Sequence, residues 1–348
     1  MEDISDMQYK GKSGKIYRLT NEIGQGGEGI VYGINGEYSS VVKIYKPEKF
    51  PNEEARRSME KKLIAMTVKR LSYRLDGHIK LAWPKDVLYD GGTFVGFVMP
   101  RIDSDYKIFN MYRNDDVRKR IFPTYNWKFS VQAAYNLAWL VNYLHMNDVI
   151  VGDLNPNNVS MNRQGLMTLV DCDSFDITYA GHRYPCTVGL DEMLPPEAQQ
   201  IRVIEQFNFS RESDDFALAI HIFRLLMNNY DPFGAVLVDR YQASSSDMTT
   251  NKAIAKGECL YVRNVLGKRL PPNAPSLSIL PMDIQKLFRK TFDYNEITAK
   301  KKIAERATAE EWMYALWPIA GEPGINRYLK ECSRGHVYPA HNARCPWC

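Results

Sequence analysis

The stretch that decides the fold is Tyr143-Leu-His-Met-Asn-Asp-Val-Ile-Val-Gly-Asp153-Leu-Asn-Pro-Asn-Asn158. It places a carboxylate, Asp153, and a carboxamide, Asn158, five residues apart on a short loop. An apolar helical pattern from Ala133 to Leu144 precedes the loop, and an alternating strand pattern from Leu166 to Val170 follows it. We therefore predict that the loop joins a helix to a strand and holds both polar side chains on a tight turn.

The spacing of these two side chains suits phosphoryl transfer. Asp153 can accept the proton of an attacking hydroxyl while Asn158 holds a Mg²⁺ ion on a nucleotide. Two further carboxylates, Asp171 and Asp173, lie 13 and 15 residues beyond Asn158, which leaves room for a strand, a turn at Gln164-Gly165 and a returning strand. We therefore expect the two acidic sites to face one metal and nucleotide pocket.

Other motifs accompany this loop in a consistent order. Gly24-Gln-Gly26-Gly-Glu-Gly29-Ile-Val31 has the pattern of a glycine-rich loop, and it opens no helix, which argues against a dinucleotide-binding unit. Val41-Val42-Lys43-Ile44 follows at the distance of a third strand, and Pro195-Pro196-Glu197 resembles an A-P-E motif. As a set, the motifs resemble the bacterial eukaryotic-like (Hanks-type) Ser/Thr protein kinase family, in a divergent subgroup with a C-terminal zinc ribbon.

The resemblance, which covers roughly residues 15 to 318, implies the fold. It implies an α+β, bilobal protein-kinase-like fold with a β-rich small lobe, a helical large lobe and a C-terminal zinc ribbon. We expect the small lobe over residues 1–99, the large lobe over 100–320 and the ribbon over 325–348. Because the chain stops at Cys348, a predicted metal ligand, we expect the ribbon to be the start of a longer C-terminal region.

The resemblance also implies the residues of a nucleotide site. Lys43 would pair with the α- and β-phosphates, and Glu60, 17 residues further on in a charged helical segment, would be its ion-pair partner, with Glu53 and Glu54 as weaker candidates. The residues predicted to bind the nucleotide are Gly24, Gly26, Gly29, Val31, Lys43, Met99, Arg101, Ile102, Asn158 and Asp171.

Four positions depart from the pattern of active family members, one of them Leu190, which stands where members often place a threonine seven residues before the glutamate of A-P-E. Gly152 replaces the arginine of H-R-D, so activity should not depend on phosphorylation of the activation loop. Asn155 replaces the lysine of D-L-K-P, which removes a positive charge from the place where negative charge must be stabilised. Asp171-Cys-Asp173 replaces D-F-G, so either carboxylate, or both, would bind Mg²⁺ together with Asn158. The catalytic candidates are Asp153, Lys43, Glu60 and Asn155.

Two readings of these substitutions stay open. Lys43, Glu60, Asp153, Asn158 and Asp171 are all present, which favours an ATP-dependent Ser/Thr protein kinase that uses Mg²⁺ or Mn²⁺ and also phosphorylates itself. The alternative is a nucleotide-binding pseudokinase scaffold whose zinc ribbon docks partners. A third hypothesis makes the ribbon itself the functional part, as a docking or nucleic-acid module.

The C-terminus carries the second strong pattern. Cys332-Ser-Arg-Gly-His336 and Cys345-Pro-Trp-Cys348 form two knuckles with three thiols and one imidazole, which suits a tetrahedral Zn²⁺ ion. His341 can take the place of His336. A segment this short cannot bury enough apolar surface to fold alone, so we expect a bound metal to supply much of its stability.

The resemblance implies structural pairs as well. Ser213-Asp214-Asp215 resembles the start of the buried central helix of the large lobe, to which His145 would bond. Arg306 stands where the family keeps an arginine that pairs with the glutamate of A-P-E, which is Glu197 here.

Composition narrows the class of protein. The net charge of +4 is too small to imply nucleic-acid binding, and no apolar run approaches the roughly 18 residues needed to span a bilayer. Three cysteines belong to the predicted zinc site and the other three show no pairing pattern, so we expect a cytoplasmic protein. The resemblance implies a protein substrate, and as partners a metal-dependent Ser/Thr phosphatase and a von Willebrand A-type protein.

Overall fold

The computed structural model describes residues 7–102, 106–113, 115–238 and 249–348. Residues 1–6, 103–105, 114 and 239–248, which fall in the predicted segments 1–99 and 100–320, lie outside the described residues. The described chain forms two compact units. Of the described residues, the first unit comprises 7–102 with Thr168–Tyr184, and the second comprises 106–113, 115–167, 185–238 and 249–348.

The first unit includes a segment from much later in the chain. Thr168–Tyr184 packs with this unit, although the sequence prediction includes it in the segment 100–320. Leu169 is bonded on both sides, because its N–H donates to the Lys80 carbonyl and its carbonyl accepts from the Ala82 N–H, each at 2.9 Å. The predicted boundary between residues 99 and 100 does not include this segment in the first unit. Its place there depends on hydrogen bonds between residues that are distant in the sequence.

A closed barrel forms most of the first unit. Its six strands run antiparallel in the order β1-β2-β3-β4-β8-β7, and β1 pairs with β7 to close it. The strands are β1 (Gln8–Gly11), β2 (Ile16–Gln25), β3 (Gly29–Ile34), β4 (Glu37–Tyr45), β7 (Asp86–Asp90) and β8 (Thr93–Pro100). Closure leaves no sheet edge unpaired, and the interior is filled by Tyr17, Leu19, Tyr32, Ile34, Val42, Leu88 and Val98.

Among its described residues, the first unit also contains an α-helix and two short hairpins. Helix α1 (Glu53–Lys69) begins where the Asn52 side chain accepts the Ala55 N–H, and it ends at Arg70 in the left-handed conformation. The Trp83 indole donates to the Met66 carbonyl at 3.0 Å and fixes the end of the helix to the chain that follows. The hairpins are β5 (Arg74–Leu75) with β6 (His78–Ile79) and β13 (Asp176–Tyr179) with β14 (His182–Tyr184).

Helices dominate the second unit. Its core is built on α3, which packs against both α4 and α8. Capping boxes start two of these helices, with Ser210 and Ser213 at α4 and Thr308 and Glu311 at α8. The helices are α2 (Asp115–Ile121), α3 (Trp127–Met146), α4 (Arg211–Leu226), α5 (Thr250–Lys256), α6 (Met282–Phe292), α7 (Ala299–Lys302) and α8 (Ala309–Ala320). Among the described helices, none is both long and apolar enough to cross a membrane.

Short strands connect and extend the second unit. Strand β11 (Val159–Met161) pairs with β9 (Tyr106–Lys107), β15 (Val236–Leu237) with β16 (Lys268–Arg269), and β17 (Leu329–Glu331) with β18 (Val337–Pro339), all antiparallel. The remaining strands of the described residues are β10 (Val149–Ile150), in the second unit, and β12 (Met167–Leu169), whose last two residues belong to the first unit. The structure thus confirms a chain of mixed helices and strands.

Candidate active site

The glycine-rich segment forms the tip of the hairpin between β2 and β3. Gly24 pairs with Val31, and the Gly26 N–H donates to the Gly29 carbonyl at 2.9 Å. A Cβ on Gly29 would lie 2.6 Å from the Ile44 carbonyl oxygen, so only glycine lets β3 approach β4 here. A Cβ on Gly24 would meet nothing within 4 Å. The hairpin therefore has one packed glycine and an open side that a ligand can approach closely.

Lys43 lies on β4, directly opposite Val31. Its ammonium donates to both carboxylate oxygens of Asp173, at 3.1 and 2.9 Å, and lies 3.5 Å from Asp171 Oδ1. Burial alone would lower the pKa of Lys43, but the charges of Asp173 and Asp171 raise it above its usual value. The lysine is therefore held as a charged group inside the first unit.

Asp173 is the most enclosed carboxylate of this cluster. Besides Lys43, the Tyr45 hydroxyl donates to it at 2.7 Å. Burial raises the pKa of Asp173, but the Lys43 charge and the hydrogen bonds from Lys43 and Tyr45 outweigh burial and hold that pKa below its usual value. The carboxylate stays ionised although only 2% of its side chain is exposed.

Asp171 differs from Asp173 in exposure and backbone geometry. Its φ of 51° is left-handed, which is uncommon for a residue other than glycine. The Ser174 hydroxyl donates to the Asp171 carbonyl at 2.8 Å and closes the 3₁₀ turn Cys172–Ser174. The Asp171 side chain is 56% exposed, so its carboxylate is open to solvent.

Glu60, the predicted partner of Lys43, has another contact. It lies on α1 and accepts a hydrogen bond from the Tyr89 hydroxyl at 2.7 Å. Burial and this carboxylate together raise the pKa of Tyr89. The structure thus brings Lys43 together with Asp171 and Asp173, and Glu60 together with Tyr89.

Met99, Arg101 and Ile102, which are predicted to bind the nucleotide, lie at the end of β8 and just after it. Met99 pairs with Val41 in the barrel, and the Arg101 N–H donates to the Ser39 carbonyl at 3.0 Å. Ile102 follows, half-buried. The Arg101 N–H thus extends the pairing of β4 and β8 by one residue.

In the second unit, the loop Asp153–Asn158 is closed by its own side chains. Asn155 Nδ2 donates to Asp153 Oδ2 at 2.8 Å, and Asn158 Nδ2 donates to the same oxygen and to the Asp153 carbonyl, each at 3.0 Å. The Asn155 side-chain oxygen accepts the Asn157 N–H at 2.8 Å. The two carboxamides therefore orient the Asp153 carboxylate.

The chain just before this loop is fixed from α4. Asp214 accepts the backbone N–H of Val151 at 2.7 Å and of Gly152 at 2.8 Å, and the His145 ring donates to it at 3.0 Å. The implied bond between His145 and the central helix is thus confirmed. Asp214 is fully buried, so these donors replace the water that an ionised carboxylate would otherwise need.

His221 also contacts this loop, and no sequence motif predicted its role. Its Nε2–H donates to the Leu154 carbonyl at 3.0 Å, so Nδ1 must accept from the Tyr112 hydroxyl, 2.6 Å away. Burial lowers the pKa of His221 to about 4. A neutral ring with one donor and one acceptor therefore links α4 to the loop.

Gly152 is required by its surroundings. Its φ is 73°, and a Cβ at this position would lie 2.6 Å from the Cys186 Sγ atom. An arginine, as in H-R-D, would meet both the backbone strain and this contact. The departure from the family pattern thus has a local steric cause.

Arg306 and Glu197 meet as the resemblance implied. Arg306 donates to the two carboxylate oxygens of Glu197 at 2.7 and 2.6 Å, and to the Glu212 carbonyl at 3.0 Å. Two parallel hydrogen bonds between guanidinium and carboxylate form the strongest common geometry for such a pair.

The C-terminal cluster brings together Cys332, His336, Cys345 and Cys348, whose ligand atoms all lie within 4.8 Å of one another. His336 Nδ1 lies 3.4 Å from Cys348 Sγ and 3.7 Å from Cys345 Sγ, and the Cys332 and Cys348 sulfurs are 3.6 Å apart. Ligands at tetrahedral zinc are about 3.4 to 3.8 Å apart. The donor set and its spacing thus fit zinc.

His341, the alternative ligand, points elsewhere. Its Nε2–H donates to the Ser278 carbonyl at 3.1 Å, and the neighbouring Asn342 donates to the Ile279 carbonyl at 2.8 Å. Lys128 on α3 donates to the carbonyls of Glu322 and Gly324, just before the cluster. These bonds seat the C-terminal segment on the helices of the second unit.

Comparison with known proteins adds an independent observation. No protein-family model matches the chain. The chain is 30% identical over 342 residues to each of two curated proteins named "Protein kinase YegI", from Escherichia coli strain K12 and from Escherichia coli O157:H7. It is similar to a bacterial protein kinase. The match takes in 97% of the chain and 49% of each relative, so the chain spans about half the length of the curated relatives it matches.

Proposed function

We propose that this chain transfers the γ-phosphoryl group of ATP to hydroxyl groups of proteins, as a Ser/Thr protein kinase. The observation that carries this proposal is the loop Asp153–Asn158, in which Asn155 and Asn158 hold the Asp153 carboxylate in one orientation. The similarity to proteins named as kinases supports it.

The architecture fits the same proposal. The barrel unit corresponds to the small lobe of a bilobal kinase, the helical unit to the large lobe, and residues 325–348 to a zinc ribbon. We assign the small lobe to residues 1–99 together with Thr168–Tyr184, and the large lobe to the rest of 100–320.

Each proposed role follows from the local chemistry. ATP, bound with Mg²⁺ or Mn²⁺, supplies the transferable phosphoryl group. Lys43 neutralises phosphate oxygens beside the open glycine hairpin, and the exposed carboxylate of Asp171 and the Asn158 side chain are oxygen ligands suited to the metal ion. Asp153 accepts the proton of the protein hydroxyl, and Asn155 keeps Asp153 oriented for that transfer.

We assign a structural role to the zinc that the C-terminal cluster fits. Three thiolates and one imidazole fill all four positions of a tetrahedral ion, so no position stays open for chemistry. In the proposed kinase, this metal stabilises the segment that is seated on the helices.

A scaffold remains the second candidate function. It is favoured by Asn155, which puts an amide where active family members carry a lysine, and the amide donates to Asp153. In that case the chain would bind nucleotide without turnover, and the ribbon would dock partners.

Other parts of the proposal rest on the amino-acid sequence and on the family resemblance, without a structural observation. They are autophosphorylation, a cytoplasmic location, and association with a metal-dependent Ser/Thr phosphatase and a von Willebrand A-type protein.

The proposed function is tested by incubating the purified chain with γ-labelled ATP, first with Mg²⁺ and then with Mn²⁺, and identifying the labelled residues. Label on serine or threonine supports the kinase. ATP binding without label, in the presence of either metal and of a generic protein substrate, would favour the scaffold.

A further inference from the structure

An enclosed charge cluster of the first unit is centred on Asp173. Lys43 donates to both of its oxygens and Tyr45 to one of them. The side chains of Lys43 and Asp173 are 9% and 2% exposed. Because both ionised groups are out of water, each depends on the other to remain charged.

Helix α1 presents a cation to this cluster. Its buried face consists of Lys62, Leu63, Ala65 and Met66, and the Lys62 side chain is only 6% exposed. The charge of Lys62 also acts on the Asp173 carboxylate. Glu60 lies two residues earlier and accepts a hydrogen bond from Tyr89, so α1 acts on this cluster through a lysine, whereas the family pattern predicts a glutamate there.

The two carboxylates of Asp171-Cys-Asp173 are therefore in different situations. Both oxygens of Asp173 already accept donors, and a metal ion would have to compete with an ammonium at 2.9 Å. Asp171 is 56% exposed and touches Lys43 only at 3.5 Å. Hard oxygen ligands for Mg²⁺ must be accessible, because the ion keeps several of its waters.

We propose that Asp173 is the positioning residue for Lys43, in the role that the family pattern gives to Glu60, and that Asp171 is left as the metal ligand. The carboxylate that holds the phosphate-binding Lys43 thus comes from the Asp171–Asp173 segment, which also carries the metal ligand, and not from α1. The positive charge of Lys62 balances the negative charge of Asp173. This inference rests on the proposed function, since it takes Lys43 to bind phosphates.

The first test measures ATP affinity by calorimetry on the full chain, without added divalent cation and in Mg²⁺, well below the unfolding temperature; no chelator is used, because it would also remove the proposed structural zinc. We expect Asp173→Asn to weaken binding about tenfold in both conditions, because Lys43 loses its charged partner. Asp171→Asn should bind normally without Mg²⁺ and lose the tightening by Mg²⁺. Equal weakening by Glu60→Gln and Asp173→Asn without Mg²⁺ would overturn the inference.

A matched control separates positioning from plain stability. Asp176 is a carboxylate of the same unit, 2% exposed and paired with Arg183. Asp176→Asn should lower the unfolding temperature and leave the ATP affinity of the folded protein unchanged. If Asp176→Asn weakened ATP binding as much as Asp173→Asn does, the effect at Asp173 would reflect a general loss of stability. That result would contradict the positioning role of Asp173.

A second test needs no nucleotide and remains decisive if Asp173→Asn folds poorly. We expect the double variant Lys43→Met/Asp173→Asn to be more stable than the sum of the single changes predicts, because neither buried charge is left without the other. Lys43→Met and Glu60→Gln should add independently. An additive Lys43/Asp173 cycle, or a double variant that stays unfolded while Lys43→Met folds, would contradict the pairing.

The two failures can be told apart. A wild-type chain that binds no ATP overturns the proposed function, and with it the phosphate role of Lys43. A wild type that binds ATP, with a coupled Lys43/Asp173 pair but unchanged affinity in Asp173→Asn, overturns only the inference.

Discussion

Arg306 donates one hydrogen bond to each carboxylate oxygen of Glu197, at 2.7 and 2.6 Å, across 109 residues of sequence. The Arg306 side chain is 2% exposed, so removing its partner leaves a buried cation unpaired. We predict that Glu197→Gln lowers the free energy of unfolding by about 3 kcal/mol, at the low end for a buried pair because Glu197 retains some exposure. Chemical denaturation measures the change.

The control for this pair is Lys286→Ala. Lys286 and Asp283 form an exposed pair three residues apart on α6, and such pairs contribute less than about 1 kcal/mol. Similar losses in both variants would show that the pairing of Arg306 with Glu197 has no special role.

The C-terminal cluster predicts one tightly bound zinc per chain. His336→Ala removes one of four ligands and should reduce the zinc content and the unfolding temperature, because bound metal supplies folding energy to a short segment. Atomic absorption and thermal unfolding measure both effects.

His341→Ala is the matched change for the zinc prediction, because His341 bonds to Ser278 and lies outside the cluster. It should retain the metal. Zinc lost from His341→Ala but kept in His336→Ala would reverse the ligand assignment.

His221 predicts a pH dependence of stability. Its pKa is lowered to about 4 in the folded chain, against about 6.5 when unfolded. The unfolded state therefore binds the proton first, and stability present above pH 6.5 is lost as the pH falls toward 4. The loss should reach about 3 kcal/mol relative to His221→Gln, whose side chain does not titrate.

The measurement is the difference in unfolding free energy between wild type and His221→Gln from pH 7.5 to pH 4. Other titrating groups are common to both proteins and cancel in the difference. A difference that is constant over this range would rule out a buried neutral His221.

Gly152 predicts a steric penalty at the start of the loop. In Gly152→Ala the left-handed backbone costs about 1 kcal/mol, and the close approach to Cys186 should add about 1 to 3 kcal/mol. Gly181→Ala provides the control, because Gly181 has a similar φ of 76° and nothing within 4 Å of its Cβ position. Equal losses of stability in the two variants would mean that the Cys186 side chain moves away from the new Cβ without a measurable loss of stability.

Local patterns predicted much of the frame around the loop. The helix expected from Ala133 to Leu144 lies within α3, and the strand expected from Leu166 to Val170 contains β12. The turn between strands occurs at Gly165, whose φ is 78°. Apolar periodicity and a glycine in a turn are properties of neighbouring residues, so sequence alone can reveal them.

Side-chain partners were harder to predict. The bond between Lys43 and Asp173 joins residues 130 positions apart, and nothing in Asp171-Cys-Asp173 shows which carboxylate becomes buried. His221 lies in a helix that is buried all round, where no periodicity marks a polar contact. These contacts depend on how distant elements pack, whereas Arg306 with Glu197 was found because both belong to recognisable motifs.

The most direct test of the central claim compares phosphoryl transfer by the wild type and by Asp153→Asn at saturating ATP and Mg²⁺. Asparagine keeps the size of the side chain and an acceptor for Asn155 and Asn158, but it cannot take a proton. We predict an active wild type, a rate at least about a hundredfold lower in the variant, and unchanged ATP affinity. Transfer by the variant within about threefold of the wild-type rate would contradict the role of Asp153.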